Sequence, residues 1–188
     1  IDDLPKVGPF IKTLKVGHQK TPFGLEQNVS SKHTTFMERG LGSVSAPGRD
    51  TGIRVDHNWL PEGMRLSNGI YRTADNFGDD DPPNGAGEWA MSARLSGDLM
   101  NEEEDDMLLG LGISVGQRKE KEATNSVGLD DNQGRFRTRG GQHLGAFLVD
   151  TGTFATDDNT TLIGADAVWR MGQWHAQAEY GRTSYSIK

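Results

Sequence analysis

Arg135, Arg137 and Arg139 recur at every second position. On an extended strand, residues two apart share a face, so this spacing predicts a ladder of three fixed positive charges. Guanidinium stays charged at any physiological pH and forks onto phosphate or carboxylate oxygens. Lined along a passage, such groups act as an anion filter; at a solvated edge they merely keep the strand wet. A second cationic group, Lys32, Arg39, Arg49 and Arg54, falls in or just after a long polar connection over residues 27–50. Folded inward, that connection would bring these cations to a constriction; the competing role is pairing with Glu38, Asp50 and Asp56.

Other chemistries find no support in the residue spacing. His18, His33, His57, His143 and His175 form no HxxxH or HExxH pair, and no cysteine supplies a thiolate or a nucleophile. Gly112–Gly116 matches GxSxG only inside an alternating strand pattern, not at a strand-to-helix elbow, and there is no phosphate-binding Walker loop, so neither an enzyme nor a cofactor site is expected. The acidic runs Asp79–Asp81 and Glu102–Asp106 lack the spacing of an EF-hand and read as solvated loops, with no metal site expected. Nucleic-acid binding is not expected either, because the arginines have no interleaved aromatics and the chain carries a net charge of -7.

That charge is local. Residues 75–106 hold eleven acidic side chains against one basic, Arg94, which leaves the remainder at +3. The framework is therefore slightly basic and the negative charge belongs to loops. Mean hydropathy is only -0.64, and no run of about 18 apolar residues exists to form a membrane-crossing helix. A barrel that hides its apolar face in alternation is still compatible with such a composition, as are the 25 glycines.

The elements that would position these charges are strands. Leu162 to Tyr180 reads as a hairpin around the turn Met171–Gly172–Gln173. Ile163, Ala165, Ala167 and Trp169 share one face of its first strand, and Trp174, Ala176, Ala178 and Tyr180 one face of its second. Aromatics close the ends of these apolar faces, as in the girdles of transmembrane barrels. Glu88–Met100 alternates likewise, with Trp89, Met91, Ala93, Leu95 and Leu99 opposite Ala90, Ser92, Arg94, Ser96 and Asp98. Met107–Arg118 sets Leu109, Leu111, Ile113 and Val115 against Gly110, Gly112, Ser114 and Gly116, small residues expected to keep an inner wall open. Weaker alternation marks 10–20, 51–59, 64–74 and 142–150, with 1–6 as a leader. Short turns at 60–63, 101–106 and 171–173 alternate with long connections at 27–50, 75–87, 119–134 and 151–161. One short-turn end and one long-loop end is the asymmetry of an outer-membrane barrel. About eight strands in a single all-β antiparallel domain over residues 1–188 are expected, with the connection over 27–50 folded inward as a constriction loop.

Three ordered sets of residues, Val16–Glu26, Thr35–Leu41 and Ala46–Gly52, resemble the phosphate-selective porin O and P family. Arg135–Arg139, Leu148–Gly152, Gly164–Trp169 and Gln177–Tyr180 continue the resemblance in the same order. It implies an outer-membrane barrel of about 16 strands, trimeric, passing small anions such as phosphate, polyphosphate or chloride, in a Gram-negative bacterium. This chain would then hold the N-terminal and central part, the C-terminal strands being absent. By position the resemblance carries Arg39, Arg49, Arg54, Arg135, Arg137 and Arg139 to the pore wall. Two other readings stand beside the porin: a barrel serving as a structural partner in an envelope complex, and a soluble β-sandwich binding module, since a soluble sheet with one wet face alternates in the same way.

Overall fold

The computed structural model describes residues 2–5, 10–34, 36, 39–40, 46–72, 88–102, 106–119, 122–124, 130–134, 137–138, 146–152 and 154–187. Among the described residues twelve strands form, the longer ones where alternation or β-branched residues favour extended backbone: β1 Asp2–Pro5, β2 Ile11–Lys20, β3 Arg49–His57, β4 Met64–Arg72, β5 Trp89–Glu102 and β6 Met107–Lys119. They continue as β7 Glu122–Thr124, β8 Asp130–Gly134, β9 Arg137–Thr138, β10 Val149–Asp150, β11 Phe154–Met171 and β12 Trp174–Ile187. Ten of them make one antiparallel sheet: β1 to β6 pair in sequence, β11 follows β6, and β12 lies on β11's other edge. The β7–β8 hairpin pairs with the start of β11, where β6 has ended. β9 and β10 pair separately.

β5 and β12 each have 14 residues, more than the nine to eleven that cross a bilayer at a tilt. At one end the turns are tight. Gly172 takes φ +55, open to glycine at little cost, and its N–H donates to the Asp106 carbonyl of the neighbouring turn.

Several boundaries differ from the sequence expectation. The leader at 1–6 contains edge strand β1, and the polar stretch 119–134 contains β7 and β8. The connection expected over 151–161 is largely the start of β11. Its Thr156, Thr160 and Thr161 are β-branched but polar, so no hydrophobic alternation announces the strand. Edge-to-face packing of Phe154 on Tyr185, 5.2 Å between ring centres, joins β11 to β12 there. Because β12 runs on to Ile187, Tyr180 stands in mid-strand and does not close its apolar face. Of the strand expected at 142–150, only Val149–Asp150 is extended among the described residues.

The sheet is inside-out relative to a soluble one. Ile53, Ile70, Met91, Leu111, Ile113, Val115, Ile163 and Trp169 point outward and are exposed, while Asp50, Ser67, Ser92, Ser114 and Asp166 are buried on the opposite face. Neighbours on β6 make the contrast sharpest: Ile113 is 58% exposed and Ser114 1%. In water, leaving each such aliphatic side chain exposed forgoes about 1.5–3 kcal/mol. The core lies on the polar side, where Thr21, Pro22 and Phe23 are buried, Phe23 against Gly164 of the sheet, and Tyr71 and Leu162 are buried as well.

Candidate functional site

Pro22 has no N–H for the ladder, so β2 stops at Lys20 and the chain turns across the polar face. Thr21 anchors the exit through Thr21 Oγ1 to the Pro47 carbonyl, 3.1 Å. Asn28 Nδ2 donates to the Phe23 and Gly24 carbonyls at 2.8 and 2.9 Å, tying the turn together. Gly24 N–H donates to Ser114 Oγ at 3.1 Å, and Glu26 N–H to Glu179 Oε2 at 3.0 Å. Phe23 sits over Gly164, where a Cβ would stand only 3.1 Å from its ring. Residues 23–26 therefore lie against the polar face of β6, β11 and β12. In the sequence pattern residues 21–26 are the end of a strand.

The wall beneath is a lattice of ion pairs. Arg94 of β5 forks onto Asp166 of β11, with one arm at 2.8 Å, and also donates to Ser114 Oγ at 3.1 Å. The fork passes over Gly112 of the intervening strand, where a Cβ would collide with both partners. Arg118 of β6 reaches Asp50 of β3 at 2.9 and 3.3 Å, across β4 and β5. Arg54 binds Asp56 at 2.8 Å and Ser67 at 3.1 Å. The glycines and Ser114 expected to leave the wall open are thus the positions over which side chains from adjoining strands close.

A different set of cations converges where β2 ends and β3 begins. Lys20, Arg39 and Arg49 line a cavity of about 540 Å³ together with Gln27, Asn28, Ser30 and Ser31. Lys20 Nζ donates to the Val29 carbonyl at 2.9 Å; Arg39 Nε donates to the Glu26 carbonyl at 3.0 Å. Arg49 lies opposite Lys20 in the β2–β3 register, and both guanidiniums act electrostatically on the Lys20 ammonium. The described lining residues include no carboxylate. Ser30 and Ser31 place hydroxyls beside the cations, and Ser30 also caps the short 3-10 helix Ser31–His33.

Of the site residues expected from sequence, Arg39 and Arg49 are brought together here. Lys32 is exposed on the 3-10 turn, outside the cavity lining. Arg54 stands on the polar wall, paired with Asp56. Arg137 opens β9, and Arg135 and Arg139 lie outside the described residues, as do Asp79–Asp81. Lys20 escaped the sequence reading because only the strand register sets it beside Arg49. Glu179 escaped it because its partner, Glu26, is 153 residues away.

An antiparallel sheet with an exposed apolar face, a polar inner face, tight turns at one end and long connections at the other is the wall of a transmembrane β-barrel. The family model for phosphate-selective porin O and P matches residues 8–187, and the chain belongs to that family. Its members are non-enzymatic porins of the Gram-negative outer membrane. No curated protein matches the chain.

Proposed function

We propose that this porin passes small anions, phosphate among them, by passive diffusion, and that Lys20, Arg39 and Arg49 hold the anion on its way. The convergence of these three cations on one cavity, with serine hydroxyls and amide groups beside them, carries this reading. Phosphate offers several acceptor oxygens, which suits a mixed set of guanidinium, ammonium and hydroxyl donors. The wall cations Arg94, Arg118 and Arg54 already face carboxylates. They contribute little net field, so the anion preference arises at Lys20, Arg39 and Arg49. Polyphosphate and chloride are further anions of the same class. Assembly as a homotrimer belongs to this reading and is checked by cross-linking in detergent.

The test is the reversal potential of the native porin in a planar bilayer under a potassium chloride gradient, with phosphate added as a blocker. An anion-signed potential and a chloride current blocked by phosphate are expected. Arg49→Ala should raise the half-blocking phosphate concentration about tenfold, the effect of losing one charge-assisted hydrogen bond of about 1.5 kcal/mol. A cation-signed potential overturns the proposal.

A further inference from the structure

Glu179 stands on the inner face of β12, opposite Asp166 in the β11 register. Its carboxylate does not serve the wall alone. Oε2 accepts the Glu26 N–H at 3.0 Å, and Oε1 occupies the place where a Cβ on Gly24 would lie. Gly24 has φ +68, a conformation that suits glycine, and its own N–H is held by Ser114 at 3.1 Å. Ser114 is in turn fixed by Arg94, and Arg94 by Asp166. Residues 24–26 are therefore clamped at two backbone N–H groups by side chains from β6 and β12.

The clamp is one residue away from the cations. Glu26 gives its N–H to Glu179, and the carbonyl of the same residue accepts Arg39 Nε at 3.0 Å. The Glu26 side chain takes the Gly40 N–H at 2.8 Å, drawing in the stretch that carries Arg39. We infer that Glu179 is a positioning residue: its carboxylate latches the inward-folded segment to the far wall, and so sets both the aperture of the channel and the place of the Lys20, Arg39 and Arg49 cavity. This inference rests on the anion-porin reading for its second consequence and is independent of it for its first.

The two consequences give the test its discrimination. Removing a negative charge from an anion path should by electrostatics alone strengthen phosphate block. Losing the latch should weaken it, because Arg39 is no longer held. Single-channel recordings compare the native porin with Glu179→Ala, Glu179→Gln and Gly24→Ala, with folding checked by heat-modifiable mobility on gels.

Glu179→Ala is expected to give a larger and noisier conductance and to raise the half-blocking phosphate concentration about tenfold, the effect of one lost hydrogen bond to a charged acceptor. Glu179→Gln keeps an oxygen that accepts the Glu26 N–H, so it should stay near native in conductance and noise. Gly24→Ala pushes the carboxylate off its seat and should reproduce the alanine variant. It decides the matter if Glu179→Ala does not fold.

Native conductance and noise in Glu179→Ala, or tighter phosphate block in both Glu179 variants with unchanged conductance, overturns the latch. If the native porin shows no phosphate block while Glu179→Ala still enlarges and destabilises the conductance, the latch stands and the anion reading falls.

Discussion

Arg94 and Asp166 show what a charge does when it is built into a wall. Their side chains are 12% and 3% exposed, and the pair also engages Ser114. Removing one partner leaves the other charge buried and unmatched, which typically costs about 3–5 kcal/mol. Arg94→Ala should therefore lower the urea midpoint of the refolded barrel clearly, and Asp50→Ala, which strands Arg118, should act in the same direction. Arg54 is a milder case, since Asp56 retains the Ser67 hydroxyl at 2.6 Å when the guanidinium is gone. Its loss is expected to cost about 1 kcal/mol and to leave phosphate block near native, in contrast to Arg49→Ala. Equal effects of Arg54→Ala and Arg49→Ala on block would mean that the wall cations also face the permeating ion.

At the scale of the element, one strand presents two solvents. β6 alternates exposed Leu111, Ile113 and Val115 with buried Gly112, Ser114 and Gly116. An arginine on the apolar face near mid-strand meets hydrocarbon. Ile113→Arg should cost about 2–4 kcal/mol of folding into lipid vesicles, measured by denaturant titration of tryptophan fluorescence. Ser96→Lys on the inner face of β5 should fold close to native, because that face meets polar side chains and water. The reverse ranking would place hydrocarbon on the polar face and contradict the barrel. The same logic explains the start of β11: beyond the apolar zone nothing requires hydrophobic alternation, so threonines and backbone pairing suffice.

On the scale of the whole molecule, charge is partitioned. Carboxylates gather over residues 75–106, wall arginines are neutralised across strands, and three cations collect where β2 ends and β3 begins. The anion preference proposed above rests on a small, partly solvated set of charges. Screening should erode it: the Debye length falls from about 10 Å at 0.1 M salt to about 3 Å at 1 M. The anion-to-cation permeability ratio from reversal potentials is expected to decline over that range. A ratio independent of salt would point to selection by pore geometry instead.

Alternation of side chains with period two, together with tight and long connections in turn, determined the strands β3 to β6 and the β11–β12 hairpin from sequence alone, because strand geometry is local. The outward apolar face was equally legible, since it follows from which residues share a parity. What local pattern does not contain is which strands stand across from one another. The meeting of Arg118 with Asp50 over two strands, of Arg94 with Asp166 over Gly112, and of Lys20 with Arg49 depends on register and sheet curvature. So does the path of residues 21–26. Pro22 marks the end of a strand in any sequence, but only the tertiary structure supplied Ser114 and Glu179 as the acceptors that hold residues 24–26 against the wall.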